Sequence, residues 1–258
     1  MPDTALEYLV GSPVRPATLT ALRDAGPLSI RTLEGRVSAS RRTLKRTLGT
    51  MESRGWVRPV DGGYQLTALG ASILAAYERC RETKRIAEEF SPFLRQTPAP
   101  GFDLDLDTLA EATLIRTDDD PTAPIDRLLE LRADATRVRE CAPFLLLDSV
   151  RQLADRVANG EPPPQVTLIL RDCSPTPEGY SPEYCDRFET LLSASSVDLY
   201  RTDDVPFAFG IADDHAFIGS ADTDGMPGTL VESDSPEFVD WVERTFEQRR
   251  EAATPLGE

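Results

Sequence analysis

Apolar residues recur along this chain at two different spacings. Up to Arg95 the spacing is mainly helical. Leu6, Leu9 and Val10 share one helical face ahead of the breaker Gly11-Ser12-Pro13. Residues 14–25 form a second helical stretch with Leu19 and Leu22 inward, closed by Gly26-Pro27. Ser29 caps a short helix, residues 30–36, and Ser40 caps a longer one, residues 41–54. Gly55 ends that helix, as a glycine just past a C-terminus commonly does. Residues 56–58 and 64–66 are strand-like, and Asp61-Gly62-Gly63 between them is a hairpin signal. Thr67 caps a long helix that runs through Ile73, Leu74 and Tyr77 toward Ile86 and Phe90.

The pattern then changes. Gln96-Thr97-Pro98-Ala99-Pro100-Gly101 has the composition of a linker. Strand-like runs at 112–115, 135–141, 166–170, 197–200, 207–211 and 215–218 follow it. They alternate with helical stretches at 124–132, 148–158, 182–194 and 236–248. Alternation of this kind predicts an α/β domain with a mixed sheet. The expected organisation is α+β: a helical domain with a hairpin over 1–95, a linker over 96–102, and an α/β domain over 103–258. The stretches 161–164 and 172–179 read as surface loops.

Composition narrows the function classes. With 258 residues, 40% of them hydrophobic, the chain can build a real core. No apolar run approaches the roughly 20 residues of a membrane span. The N-terminus lacks a basic start and a small-residue cleavage site, so a secretory signal is not expected. Four cysteines without a CxxC pair suggest a reducing cytoplasm. A single histidine, His215, rules out most His-based metal sites, and no cofactor is expected.

The net charge of −16 would by itself exclude nucleic acid and anionic lipid as partners. Its distribution changes that picture. Residues 11–59 carry ten basic side chains against three acids, a net of +7, which leaves −23 on the remainder. All the basic residues are arginine except Lys45 and Lys84, and that preference with surplus Asp and Glu suits a proteome adapted to high salt.

The basic charge concentrates on one helix. Three helices followed by a tight hairpin is the order of a winged helix-turn-helix. At 100° per residue, Leu44, Leu48 and Met51 form a narrow inward stripe. Arg42 and Arg46 point almost opposite it, flanked by Arg41 and Lys45. Such a helix fits a major groove, where arginine contacts guanine or phosphate. Ser40 and Thr43 are placed to reach phosphate or base edges, and Arg58 stands at the base of the wing. The expected DNA-contacting set is Ser40, Arg41, Arg42, Thr43, Lys45, Arg46 and Arg58. The plainer alternative is an amphipathic helix with a solvated basic face. RNA is less favoured, because no aromatic stacking platform accompanies these residues.

These segments resemble a known family. The strings Glu7-Tyr8-Leu9-Val10-Gly11-Ser12-Pro13-Val14-Arg15, Ser38-Ala39-Ser40-Arg41-Arg42-Thr43-Leu44, Arg54-Gly55-Trp56-Val57 and Tyr64-Gln65-Leu66-Thr67-Ala68-Leu69-Gly70 are similar to those of haloarchaeal winged-helix transcriptional regulators. That resemblance implies an ArsR-like DNA-binding head. It also implies a C-terminal effector domain like that of the methanogen filamentation and methanogenesis regulators. Asp120-Pro121-Thr122-Ala123-Pro124, the stretch from Val205 to Asp213 and the stretch from Phe238 to Phe246 extend it through most of the chain.

The second domain also invites an enzyme reading. The stretch from Phe209 to Asp222 is similar to the strand-turn-strand end of the phospholipase D-like fold, in which a His-x-Lys pair precedes an Asp and a Gly-Ser. Aligned on Asp213 and Gly219-Ser220, Pro206 and Ala208 stand where that His and Lys would be. Phosphodiester cleavage needs the His nucleophile and the Lys. The scaffold is therefore expected without its chemistry, as a sensor rather than an enzyme. The rivals are a phosphodiesterase and an interaction adaptor that leaves DNA alone.

Three smaller features admit functional and plain readings. His215 can act as a pH switch or be an ordinary hairpin residue. Asp213-Asp214 can hold a hard cation or form a turn. Cys80, Cys141, Cys173 and Cys185 can sense redox, with Cys173 and Cys185 able to pair, or be small buried residues. Asp118-Asp119-Asp120 and Asp203-Asp204 read as solvated loops. Finally, Leu69, Ile73, Ala76, Ile86 and Phe90 on the long helix can pack against a second copy. The resulting expectation is a cytoplasmic, homodimeric regulator that binds double-stranded DNA and an unidentified small effector.

Overall fold

A computed structural model describes residues 5–98, 102–118, 120–171, 179–221 and 227–256. Three linker residues (99–101), Asp119, Cys173 with most of the 172–179 loop, and Asp222 lie outside them. The chain divides into two compact units, Met1–Arg85 and Ile86–Glu258.

The first unit contains α1 (Ala5–Val10), α2 (Val14–Ala25), α3 (Ile30–Arg36), α4 (Arg41–Ser53), β1 (Val57–Val60), β2 (Gly63–Leu66) and the start of α5 (Ala68–Glu89). Serine hydroxyls cap two of these helices: Ser29 accepts from the Thr32 N–H, and Ser40 from that of Thr43. Gly55 takes φ +74 just past α4, the left-handed position expected of it. Thr67 caps α5 through the Gly70 N–H at 3.0 Å.

The core gathers Leu9, Leu19, Leu33, Leu44, Leu48 and Met51, all fully buried, around Trp56 and Val57. One expectation fails at α1. Leu6 and Val10 are 39% and 70% exposed, and only Leu9 of the expected face is inward. Tyr8 is the reason. Its ring meets Trp56 edge-on at 5.6 Å and lies under the Arg15 guanidinium at 4.0 Å. The inward face is therefore Ala5, Tyr8 and Leu9, at i, i+3 and i+4.

The hairpin pairs Val57 with Leu66 and Arg58 with Gln65, and turns through Asp61 and Gly62, the latter at φ +83. Leu28 adds a bridge on its far side: its N–H reaches the Tyr64 carbonyl at 3.0 Å, and its carbonyl takes the Tyr64 N–H at 2.9 Å. The approach is so close that a Cβ on Gly63 would stand 2.2 Å from the Leu28 carbonyl oxygen.

The second unit opens with the end of α5 and continues through α6 (Ser91–Gln96), a 3-10 turn (Leu106–Glu111), β3 (Thr113–Arg116), α7 (Ala123–Ala133) and β4 (Arg137–Ala142). There follow α8 (Leu147–Asn159), β5 (Gln165–Leu170), α9 (Pro182–Ser193), β6 (Val197–Arg201), β7 (Ala208–Ala212) and β8 (His215–Ala221). The unit ends with β9 (Pro227–Ser233), α10 (Pro236–Ala252) and β10 (Thr254–Leu256). The strands form one mixed eight-stranded sheet in the order β10-β6-β5-β4-β7-β8-β9-β3. β4, β5 and β6 are parallel, as βαβ crossovers through α8 and α9 require, and β7, β8, β9 and β3 are antiparallel.

Both faces of the sheet are covered. Val166, Leu168 and Leu170 of β5 pack with Val150, Leu153, Phe188 and Leu191 of α8 and α9, while Ile169 packs with Phe238, Val242 and Phe246 of α10. That two-sided burial explains the nearly continuous apolar run of β5. Ile86, Phe90 and Phe93, which the sequence pattern groups with the first domain, are buried in this second core. β9 and β10 were not expected. In β9 only Leu230 and Val231 are apolar, although Thr229, Glu232 and Ser233 are buried beside them. β10 is three residues on the sheet edge, where its proline is tolerated.

The β7–β8 turn is fastened to the start of β4 by Asp213, a non-glycine residue at φ +54. Its carboxylate accepts from the Arg137 N–H at 2.8 Å, the Thr136 N–H at 3.0 Å and the Thr136 hydroxyl at 2.9 Å. Partial burial pushes this carboxyl up, but the hydrogen bonds outweigh it and hold it below the usual range.

Two stability predictions follow from these contacts. Gly63→Ala should destabilise the first unit by about 1–3 kcal/mol in chemical denaturation, because the backbone at Leu28 must move; an unchanged midpoint would contradict the close approach. A carboxyl with a lowered native pKa adds stability that is complete above its unfolded value, about 3.9, and is lost as pH falls through the native value. The stability gap between the wild type and Asp213→Ala should therefore be constant from pH 7 to 5 and narrow below pH 4.

Candidate functional site

In the first unit the candidate site is one face of α4. Leu44, Leu48 and Met51 are 0% exposed, and Thr47 is nearly so. With that stripe inward, Arg41, Arg42, Lys45 and Arg46 all lie exposed on the other side. None of the four has an ion-pair partner among the described residues. Arg31 and Arg36 of α3 are exposed in the same way. Six exposed, unneutralised cations thus stand on two consecutive helices of a chain that is otherwise strongly acidic.

Other basic residues of this stretch are engaged in folding. Arg15 donates to the Tyr8 carbonyl, and the Arg54 guanidinium sits 4.6 Å from the Tyr8 ring centroid and 5.4 Å from that of Trp56. Arg23 bridges Asp24 at 3.0 Å and Glu78 at 2.7 Å. Arg58 lies along the hairpin, with Nε and Nη2 donating to Gln65 Oε1 at 3.1 and 2.8 Å. The hydroxyls of Ser40 and Thr43 are 3.0 Å apart and bond to each other while the Ser40 oxygen caps the helix. The structure thus groups Arg41, Arg42, Lys45 and Arg46 as free cations, with Ser40 and Thr43 at the helix start in a capping role and Arg58 held by its cross-strand neighbour. The +7 of the sequence overstates what is available, because four of its ten cations already have partners.

The second unit holds a cavity of about 170 Å³ at the carboxyl end of β4, where the strand order reverses between β5 and β7. Ligand clefts of open α/β sheets favour such reversal points. Its walls are apolar, with Ile125 and Leu128 from α7, Phe144 and Leu145 after β4, and Phe207. Pro206, Ala208, Gly219 and Ser220 line it too, with no His or Lys among them, whereas Asp213, the third position of the phospholipase D-like alignment, is in the β7–β8 turn and not in the lining.

Polar side chains stand at three places in the lining, one of them the buried Ser149 of α8. Ser220 Oγ is 2.6 Å from both Gln96 Oε1 and Thr229 Oγ1. Glu140 is fully buried and paired with Arg132, which is buried as well. Burial pushes the Glu140 carboxyl up, and the guanidinium pulls against that shift. Gln96, Glu140 and Thr229 were missed by sequence reasoning. Gln96 sits in a stretch of linker composition, and nothing in the local pattern separates a lining Thr or Glu from a solvated one.

The structure also places the smaller candidates. His215 opens β8, half-buried, with Nε2 3.3 Å from Glu232 Oε2; Glu232 also takes Arg127 Nε at 3.0 Å. Asp213 is a turn and anchor residue through its backbone bonds. No group of three His, Cys, Asp or Glu arranged to hold a metal occurs among the described residues. Cys141 is buried, and burial pushes its thiol up to about 12, which makes it a poor nucleophile. Cys80 is exposed, Cys185 is half-buried, and a Cys173–Cys185 pair falls outside the described residues. Ile86 and Phe90 are covered within their own unit, so neither is free for a second copy. No helix among the described residues is long and apolar enough to cross a membrane.

Comparison with known proteins adds four findings. Residues 3–89 match the family model of the HVO_A0261 N-terminal domain. The solved structure of TrmBL2, an archaeal chromatin protein reported to show a novel mode of DNA binding, is similar at 15% identity and a TM-score of 0.43, covering 99% of this chain and 100% of that one. That likeness is too distant to bear on function. No curated protein matches the chain. Residues 121–252, just over half of the chain and most of the unit that holds the cavity, match the family model described as the middle domain of the methanogenesis regulatory protein FilR1, and the chain belongs to that family.

Proposed function

We propose that the chain is a sequence-specific transcriptional regulator that binds double-stranded DNA through its first unit and a small effector through its second. The observation that carries this reading is the α4 face: Arg41, Arg42, Lys45 and Arg46 exposed and unpaired, opposite a fully buried stripe. Membership of a family named for a regulatory protein supports it. In this reading the first unit is an ArsR-like winged helix-turn-helix, with α4 in the major groove and the β1–β2 hairpin as wing. Ser40 and Thr43 orient the start of α4, and Arg58 supports the wing. The protein is a regulator of halophile type acting in the cytoplasm, and its acidic remainder is solvated surface. A homodimer would use Leu69, 51% exposed, with the half-buried Ile73 and Ala76 of α5. Two such heads would need to address sites about 34–36 Å apart.

An enzymatic role is not part of this proposal. Even if the second unit shares a phospholipase D-like scaffold, Pro206 and Ala208 supply neither the nucleophile nor the phosphate-binding amine. The one histidine lies beside Glu232, 3.3 Å from its Oε2, and is not in the cavity wall.

The test is DNA binding by the full chain and its variants. Arg42→Ala and Arg46→Ala should each weaken binding to a selected site by about 5–150-fold, the equivalent of 1–3 kcal/mol. Both side chains are exposed, so melting temperatures should stay within a degree or two of the wild type. Unchanged DNA affinity in both folded variants would remove α4 as the reading helix.

A further inference from the structure

The second-unit cavity has a size, a polarity and a displaceable cover that together define what fits it. Its volume of about 170 Å³ is close to that of a cavity that accepts benzene. The walls contributed by Ile125, Leu128, Leu145 and Phe207 offer no hydrogen bonds from their side chains. The carboxylate in the lining, Glu140, is already matched by Arg132, so a charged ligand would enter an apolar site without a free counter-ion.

Specific polar recognition is available at Ser220. Each hydroxyl there has one proton, and Gln96 Oε1 can only accept. Ser220 therefore donates to Gln96, and Thr229 donates to Ser220, both at 2.6 Å. Gln96 itself is exposed, and it reaches Ser220 by lying over Gly228, where any Cβ would stand 2.6 Å from its oxygen. A carboxamide oxygen on a displaceable side chain thus occupies the place of a ligand's acceptor. Gln96 is also the last residue of α6, and α6 follows directly on α5.

We infer that this cavity is the effector site and that it takes a small uncharged molecule of about six to ten non-hydrogen atoms, an apolar ring or branched body bearing one carbonyl or amide oxygen, which replaces Gln96 on Ser220. Replacement frees the end of α6 from the sheet. It gives the ligand different affinities for two states of the chain, which is what control requires. This inference rests on the regulatory reading for its consequence but not for the binding itself.

The experiment measures binding of three probes to the full chain by calorimetry and ligand-observed NMR. Benzamide carries the oxygen, benzoate has the same shape with a charge, and isopropylbenzene has the same size without the oxygen. Benzamide should bind at least about tenfold more tightly than benzoate. Ser220→Ala should weaken benzamide by about tenfold and leave isopropylbenzene unchanged, whereas Gln96→Ala, which removes the internal competitor, should tighten benzamide. Gly219→Leu should abolish binding of all three; a Cβ there meets its nearest neighbour at an ordinary 3.7 Å, so the strand can carry it. Ile125→Trp fills the same space from α7 and serves as a second check.

Absence of benzamide binding would overturn the site. So would benzamide binding that survives both filling variants, or a Gln96→Ala variant that binds benzamide no more tightly. DNA affinity measured without probe separates the two claims. Its absence would remove the regulatory reading and leave the binding result standing.

Discussion

The burial of Leu44, Leu48 and Met51 is the constraint on which the first unit depends. Each such side chain contributes about 1.5–3 kcal/mol when removed from water. Turning α4 by half a revolution would expose all three and drive Arg42 and Arg46 into the core, at several kcal/mol per buried charge. The helix therefore has one workable orientation, and in it the four cations of the helix start face outward together. The Ser40 cap fixes where the helix begins, and so which residues stand at the leading end of that face. Leu28, Gly63 and Tyr64 hold the hairpin to the turn before α3. Charge on the surface is thus a consequence of packing beneath it.

The second unit follows a different logic. Its sheet is buried on both faces, and the polar groups inside are matched only in part, since Arg132 keeps Nε and Nη1 without a hydrogen-bond partner. Asp213 ties one turn to β4 by accepting three hydrogen bonds, and Arg132 meets Glu140. The cavity forms where the parallel half of the sheet meets the antiparallel half, since the connection after β4 leaves the sheet there. A site in that place is a product of topology, and its lining comes from six or more separate segments.

That difference explains what could be read from the chain. The α4 face was legible because all its determinants lie within twelve consecutive residues: a capping serine, a stripe at helical spacing and four cations between. The β5 and α8 elements were legible for the same local reason. The face of α1 was not, because Tyr8 is turned inward by Trp56 and two arginines that come from elsewhere. β9 escaped notice because its buried Thr229, Glu232 and Ser233 are satisfied only by neighbouring strands and side chains. The second core's claim on Ile86, Phe90 and Phe93 could not be seen in a helical pattern that continues smoothly past Arg85. The sequence charge of +7 pointed to the α4 surface but counted Arg15, Arg23, Arg54 and Arg58, whose partners only the fold reveals.

The central claim is that the free cations of this face meet phosphates and bases. The most direct measurement is the salt dependence of DNA affinity for the wild-type chain. Each neutralised phosphate contributes about −0.9 to the slope of log Kobs against log salt. Four engaged cations on α4 predict a slope of about −3 to −4 for one head, and about twice that for two heads bound together. A slope near zero, with the protein folded and the DNA bound, would contradict the account.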